Sequence, residues 1–70
     1  MNFKELELRF TYHPPTGTQA DRYVIIRDLA KAYARHAVEM TPESREQSLA
    51  LTALEESVFW FNAAIARREN

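Results

Sequence analysis

Cysteine is absent from the 70-residue sequence, which also has a single glycine, three prolines and two histidines. The lack of cysteine excludes disulfide bonds and thiolate zinc sites, and His13 and His36 lie too far apart in the sequence to indicate a metal site. A core of this size seldom supplies more than about 3–5 kcal/mol, and small domains supplement it with disulfides, a metal or oligomerisation. Oligomerisation is the supplement that remains, so we expect the chain to self-associate.

An excess of charge of one sign is also absent, since nine basic residues face ten acidic ones and the net charge is −1. This balance predicts no general attraction to long nucleic acids or to a membrane surface. Charged residues occupy the beginning of the chain, unlike a signal peptide. The longest apolar stretch, residues 58–66, is interrupted by Asn62 and is far shorter than the roughly 20 residues of a bilayer span. We therefore expect a soluble, intracellular protein.

Proline and glycine break the sequence at residues 13–18 and 41–44, and nothing interrupts a helix elsewhere. The pattern predicts a single all-α domain with an N-terminal arm over residues 1–17, helix one over 18–40 and helix two over 42–68. Because the two helices join almost without a loop, an antiparallel hairpin is favoured over one long helix kinked at the second break. The arm is predicted to form a short helix or a strand that packs on the hairpin.

Start signals precede both long helices. Thr18 and Asp21 resemble a capping box at the start of helix one. For helix two, Thr41 is the predicted N-cap and Pro42 the first helical residue.

Apolar residues repeat at spacings of three and four along both helices, which predicts one buried stripe on each. The stripes are Tyr23, Ile26, Ala30, Tyr33, Ala37 and Met40 on helix one, and Gln47, Leu51, Leu54, Val58, Phe61 and Ile65 on helix two. Other apolar residues, such as Leu29, Leu49 and Trp60, fall outside the stripes. Surplus apolar surface usually marks an interface, so we expect a homo-oligomeric helical bundle.

Residues for catalysis are not arranged in any known pattern. The three serines lie on helix two, and neither histidine forms a motif with them. Glu55 and Glu56 are adjacent, so their side chains diverge by about 100° on a helix. Gly17 alone does not make a phosphate-binding loop. We therefore expect neither enzyme activity nor a cofactor.

Residues suited to binding an anion are better represented. Arg27, Lys31 and Arg35 form a basic row on helix one, which is either a solvated face with Glu39 pairing Arg35 or a phosphate-binding edge. Tyr12 precedes two stiff prolines and is either a stacking platform for a base or a plug that closes the end of the hairpin.

The end of helix two also combines apolar and polar residues. Trp60 and Phe61 are expected in the interface between copies. Asn62 needs a partner if it is buried, and it would either set the register between copies or read a ligand. Arg67 and Arg68 either neutralise the helix dipole or form an anion site when several copies gather them.

A resemblance to a known family is carried by residues 10–15 (FTYHPP) with Gly17 and Gln19, and by residues 44–52, 54–56 and 60–67. These segments resemble phage anti-defence hairpin proteins, the cyclic-nucleotide sponges that counter CBASS immunity and share a hairpin domain with sponges that counter Thoeris. The resemblance covers roughly residues 10–68, with its pieces in the expected order and spacing.

The resemblance implies a non-enzymatic protein in the cytoplasm of an infected bacterium. It would bind cyclic oligonucleotide second messengers and withhold them from host effectors. Family members are helical-hairpin homo-oligomers, typically hexamers. They hold cyclic dinucleotides such as 3′,3′-cGAMP between protomers, and some hold cyclic trinucleotides in separate pockets.

The resemblance also implies roles for individual residues. Tyr12 matches the aromatic residue that stacks on a base, and Arg27 matches a basic residue, expected to be lysine in the family, that meets a phosphate. Lys31 is a second candidate for phosphate. Arg67, or the neighbouring Arg68, matches an arginine that contacts the trinucleotide in some members.

Two other classes of function are compatible with the residues. One is an RNA-binding helical-hairpin dimer that places the basic row on a duplex backbone, which predicts a steep salt dependence of binding. The other is a pure protein-interaction module that caps a larger assembly through Leu49, Trp60 and Ala64.

Overall fold

The computed structural model describes residues 2–69, which form three helices and no strand: α1 (Phe3–Phe10), α2 (Gln19–Glu39) and α3 (Arg45–Arg68). Gln47 contacts the Val38 carbonyl at one end of the pair α2 and α3, and Gln19 contacts the Ile65 carbonyl at the other. These two contacts make α2 and α3 an antiparallel hairpin, so the predicted all-α fold is confirmed. Residues 1 and 70 of the predicted domain lie outside the described residues.

The N-terminal arm contains a helix rather than a strand. The Asn2 side chain caps α1 by accepting a hydrogen bond from the Glu5 amide at 2.8 Å. Glu5 in the first turn and Arg9 in the last turn both suit the helix dipole. The helix ends at Phe10 because the chain turns extended at Thr11, ahead of the two prolines.

The turn into α2 depends on Gly17, whose φ of +55° is the one positive φ among the described residues. Thr18 stands at the N-cap position, but its side chain makes no capping hydrogen bond. Its hydroxyl instead accepts a hydrogen bond from the Arg22 guanidinium at 3.1 Å. The predicted capping pair of Thr18 and Asp21 is therefore wrong, although α2 begins within one residue of the predicted position.

The start of α3 also differs from the prediction. Ser44, not Thr41, is the N-cap, and its hydroxyl accepts a hydrogen bond from the Gln47 amide at 3.2 Å. The Thr41 hydroxyl donates to the Ala37 carbonyl and so closes the end of α2. Pro42 lies in the turn between the helices. The pattern Ser44-x-x-Gln47 is a capping-box signal that competes with Thr41-Pro42, and it prevails here.

The contact face between α2 and α3 departs from the predicted stripes at four positions. Tyr33 on α2, Met40 at its C-cap, and Leu51 and Phe61 on α3 are exposed, with 60% of Phe61 accessible. Ala34 and Asn62 are partly buried. Alternating spacings of three and four do not fix which of two neighbouring residues faces the partner helix at each turn. The small side chain of alanine suits the close approach of two helices.

The described core is thin. Ile65 is its one buried apolar side chain, at 8% exposure, whereas fifteen large apolar side chains are exposed. The molecule is a slab of 45 × 29 × 13 Å, little thicker than one helix with its side chains. Its radius of gyration is 15.3 Å, against about 11 Å for a compact chain of this length. Its accessible surface of 5885 Å² exceeds the roughly 4,500 Å² typical of this mass.

Helix α3 is, by length and composition, long and apolar enough to cross a membrane. The expectation that no stretch is long enough rested on residues 58–66 alone, whereas a membrane span can include a few polar or charged residues and can therefore be longer. Glu55 and Glu56 lie near the middle of α3. A carboxylate at the centre of a bilayer costs about 2.5–3.5 kcal/mol, and one face of α3 is occupied by α2. These features suit a helix whose apolar surface contacts protein.

The assignment of Ser44 as the N-cap predicts that Ser44→Ala destabilises the fold by about 1 kcal/mol, because the Gln47 amide loses its acceptor. Urea unfolding at one fixed protein concentration measures the change. Ser48→Ala is the matched control, since Ser48 is an exposed position inside the same helix, and it should be neutral or slightly stabilising. Equal effects of the two substitutions would contradict the assignment.

Candidate functional site

A cleft of about 420 Å³ opens where α1, the segment after it and the hairpin meet. Its volume is within the roughly 300–1,000 Å³ of small-molecule sites. It is lined by Leu8, Arg9, Thr11, Tyr12, His13, Tyr23, Arg27, Phe59, Asn62, Ala63, Ala66 and Arg67. Three stretches of the chain thus contribute to a single concavity.

Helical periodicity places the cleft residues of the hairpin on facing sides. Tyr23 and Arg27 are one turn apart on α2, and the α3 contribution repeats at spacings of three and four from Phe59 to Arg67. The third wall is the segment after α1. There the His13 ring N–H donates to the Leu8 carbonyl at 2.8 Å, which folds the segment back onto α1. Tyr12 is 81% exposed at the rim and presents its ring to incoming molecules.

Gln19 joins the walls of the cleft at their base. It is 5% exposed, and its amide oxygen accepts a hydrogen bond from the Thr16 amide at 3.0 Å. Its amide nitrogen donates to the Ile65 carbonyl at 3.4 Å and to the Glu69 carboxylate at 3.2 Å. This one side chain, at the first residue of α2, therefore connects the turn before α2 with the end of α3.

Two bidentate ion pairs reinforce this end of the molecule. Arg22 on α2 donates to both oxygens of Glu69 at 2.7 and 2.6 Å. Arg68 on α3 donates to both oxygens of Glu5 on α1 at 3.0 and 2.6 Å. The planar fork of a guanidinium matches a carboxylate in this geometry, so each pair fixes orientation as well as distance.

The ion pairs change the acidity of both carboxylates. Hydrogen bonds from Arg68, with a further contribution from Arg9, lower the pKa of Glu5 from 4.5 to about 2. Hydrogen bonds from Arg22 and Gln19 lower the pKa of Glu69 from 4.5 to about 2. Both carboxylates are therefore charged throughout the neutral and mildly acidic range.

The arginines divide into two groups. Arg9, Arg22, Arg45 and Arg68 form the ion pairs found among residues 2–69. Arg27, Arg35 and Arg67 have no ion-pair partner among those residues, and of these three Arg27 and Arg67 line the cleft. Among the described residues no carboxylate lines the cleft, although acidic residues outnumber basic ones in the chain. The cleft is consequently a local positive site on a protein of net charge −1.

The structure brings three of the four predicted site residues, Tyr12, Arg27 and Arg67, into this cleft. Lys31 lies outside it, one turn beyond Arg27, in a smaller groove that also contains Glu55. Of the two neighbouring arginines at the end of α3, Arg68 is held by Glu5, whereas Arg67 has no ion-pair partner among residues 2–69. The suggested pair of Arg35 and Glu39 is not among the ion pairs of the described residues.

A second cleft of about 440 Å³ lies on the other side of α1. It is lined by Glu5, Arg9, Phe10, Trp60, Ala63, Ala64, Arg67 and Arg68. Arg67 lines both clefts, so the residue predicted for a separate pocket stands between two concavities. Here the one carboxylate, Glu5, is already neutralised by Arg68.

Sequence reasoning did not assign structural roles to Gln19 and Glu69, and it placed Tyr23 in the apolar stripe of helix one rather than in a site. Gln19 lies in the first turn of an amphipathic helix directly after a glycine turn, and a polar residue in that position carries no signal of burial. The ion pairs Arg22–Glu69 and Glu5–Arg68 join residues far apart in the sequence, so charge periodicity along one helix does not reveal them.

Comparison with known proteins agrees with the hairpin. The family model described as "Acb2/Tad1, hairpin domain" matches residues 5–66, nearly the whole chain. The chain belongs to this family. It is the family of phage anti-CBASS and anti-Thoeris sponges, so the resemblance seen in the sequence is confirmed. No curated protein and no solved structure matches the chain.

Sponges of this family bind cyclic nucleotide signals rather than cleave them. The described residues contain no group of three or more histidine, aspartate or glutamate side chains placed to hold a metal ion. The chemistry that the cleft offers is aromatic surface, guanidinium groups and one side-chain amide.

The lowered pKa values predict how stability depends on pH. Each carboxylate has a folded pKa of about 2 against 4.5 in the unfolded chain, so its contribution is present above pH 4.5 and is lost as pH falls towards 2. Glu5→Gln should therefore flatten the loss of unfolding free energy over this range. Urea midpoints measured from pH 4.5 down to 2 test this.

Glu43→Gln is the control for this experiment, because Glu43 is an exposed carboxylate without an ion pair among residues 2–69. It should keep the slope of the unmodified protein. If Glu5→Gln and Glu43→Gln give the same slope, the ion pair with Arg68 does not form in solution.

Proposed function

We propose that this protein binds cyclic dinucleotides such as 3′,3′-cGAMP and sequesters them without cleavage, so that CBASS effectors are not activated. The observation that carries the proposal is a cleft lined by Tyr12, Arg27 and Arg67, in which the described residues place no carboxylate and give neither arginine an ion pair. A cyclic dinucleotide needs cations for two phosphates and flat apolar surface for its bases. Family membership restricts the signal to the cyclic nucleotide class.

Each residue has a distinct role in this proposal. Tyr12 stacks on a base, an interaction worth about 1–3 kcal/mol. Arg27 donates a bidentate pair of hydrogen bonds to a phosphate, which a lysine in its place could not do. Arg67 neutralises the second phosphate or contacts a ligand in the adjacent cleft. Lys31, which lies outside the cleft, adds to the positive potential at its edge.

Self-association completes the site. Fifteen exposed large apolar side chains and a surface roughly 1,400 Å² above the typical value leave one copy with too little core. A cyclic dinucleotide is two-fold symmetric or nearly so, and a two-fold interface offers it the same aromatic ring and the same arginine twice. We propose a homo-oligomer, six copies in the family arrangement, in which the ligand lies between protomers.

The second cleft is the proposed location of a cyclic trinucleotide. Phe10 and Trp60 give it aromatic walls, and Arg67 gives it an unpaired cation. Both ligand classes are messengers of the bacterial cell, so the proposed location of the protein is the cytoplasm of the infected host. No cofactor enters this scheme.

Isothermal titration tests the binding residues. Tyr12→Ala should weaken the affinity for 3′,3′-cGAMP roughly 5- to 150-fold through lost stacking. Arg27→Ala should weaken it to a similar extent through the lost charged hydrogen bonds. Arg45→Ala is the control, because Arg45 is exposed at the opposite end of the hairpin and its one ion pair, with Glu46, is long at 3.9 Å. An unmodified protein that binds no cyclic nucleotide would overturn the proposal.

Recovery of the ligand separates sequestration from hydrolysis. After incubation and denaturation of the protein, the sponge mechanism predicts intact 3′,3′-cGAMP in the amount loaded. Linear products would instead indicate an enzyme. Binding to duplex RNA with a steep salt dependence, and none to cyclic nucleotides, would favour the RNA-binding alternative that uses the basic row on α2.

Light scattering tests self-association. The unmodified protein should have a mass of at least two copies, each of 8.2 kDa. Trp60→Glu should lower that mass because it places a charge on exposed apolar surface. Thr52→Glu adds the same charge at an exposed polar position of α3 and serves as the control. A monomer at every concentration would contradict the assembly.

A further inference from the structure

Asn62 carries the one buried side-chain polar atom without a hydrogen-bond partner that the described residues contain. The atom is its amide oxygen Oδ1, which is shielded from solvent. Its nearest cleft neighbours along α3 are Phe59, Ala63 and Ala66, whose side chains have no donor to offer. A buried acceptor without a partner lowers stability, and native proteins keep such atoms where a ligand or another group supplies the missing donor.

The position of Asn62 links this missing donor to the cleft. Asn62 lines the cleft together with Tyr12 at the rim and Arg27 on the opposite helix. The described residues supply no donor to this oxygen, so a group held in the cleft is a candidate partner. Rotation about the Cα–Cβ bond of Asn62 moves the whole amide towards the cleft surface, where the oxygen meets such a group.

Among the parts of a cyclic dinucleotide, the base supplies the donors. The phosphates accept hydrogen bonds and suit Arg27 and Arg67, whereas the exocyclic amine of adenine or guanine donates. An asparagine amide is a common partner of such an amine in nucleic-acid recognition. In this arrangement the arginines bind the phosphates, Tyr12 stacks on the face of the base, and Asn62 contacts the edge of the base.

We propose that Asn62 is the residue that determines base specificity, because its amide oxygen accepts a hydrogen bond from the exocyclic amine of a purine stacked on Tyr12. This inference rests on the proposed function and deepens it. It makes the protein selective for amino-purine ligands over otherwise similar ones. The competing account is that Asn62 accepts a donor from a second copy and sets the register of the assembly.

The test compares 3′,3′-cyclic di-AMP and 3′,3′-cyclic di-GMP with 3′,3′-cyclic di-IMP, whose hypoxanthine base lacks the exocyclic amine. The unmodified protein should bind at least one of the amino-bearing ligands about tenfold more tightly than cyclic di-IMP. Asn62→Leu keeps the size of the side chain and removes the acceptor, so it should abolish the preference while cyclic di-IMP binds as before. Asn62→Asp keeps the acceptor and should retain the preference.

Two further readouts keep the result unambiguous. Thermal unfolding should show that Asn62→Leu is at least as stable as the unmodified protein, since it removes an unpartnered buried oxygen. Light scattering should show an unchanged mass. A changed mass with an unchanged ligand preference would assign Asn62 to the register between copies and overturn the proposal.

The failure of this proposal differs from a failure of the proposed function. Equal binding of all three ligands by the unmodified protein would overturn the role of Asn62 and leave sequestration standing. Equal weakening of all three by Asn62→Leu would also overturn it. Binding of none of the three ligands would overturn both.

Discussion

The hydrogen bonds of Gln19 are the constraint on which the described fold depends. In a slab about one helix thick, Ile65 is the one buried apolar residue among those described, so packing contributes little to holding the two ends of the hairpin. Gln19 is the one buried polar residue of residues 2–69, and it connects the turn before α2 with the carbonyl of Ile65 and the carboxylate of Glu69. A buried amide has no water to bond with, so the fold is stable only when hydrogen bonds within the protein replace those to water. This requirement favours one geometry at this end of the hairpin.

The candidate site depends on that geometry and on which arginines form ion pairs with carboxylates. Arg22 and Arg68 are occupied by carboxylates and hold the three helices together. Among the described residues, Arg27 and Arg67 have no such partner, and no carboxylate lines the cleft that contains them. A near-neutral protein thereby presents a small positive site suited to a compact dianion rather than to a long polyanion. In the proposed oligomer, the exposed apolar surface would bring a second copy to this site.

Sequence patterns were most informative where the cause is local. The helical spacing of apolar residues and the proline and glycine breaks predicted the hairpin, with helix boundaries within a few residues. They failed where two local signals competed. Thr41-Pro42 and Ser44-x-x-Gln47 are both valid helix starts, and the second prevails because the Thr41 hydroxyl is used at the end of α2. Phe61 and Asn62 likewise differ by one position on the helix, and only the packing of α2 decides which one turns inward.

The sequence by itself determined the class of the protein. Its lack of cysteine, its helical periodicity and its motif segments led to an all-α hairpin of the sponge family, and they named Tyr12, Arg27 and Arg67 as residues of interest. The tertiary structure decided that Glu5 pairs with Arg68 rather than Arg67, that Lys31 lies outside the cleft, and that the Asn62 oxygen is buried without a hydrogen-bond partner among the described residues. The physical reason is that ion pairing and burial depend on residues brought together from α1, α2 and α3, whereas propensity and periodicity act within a few residues along the chain.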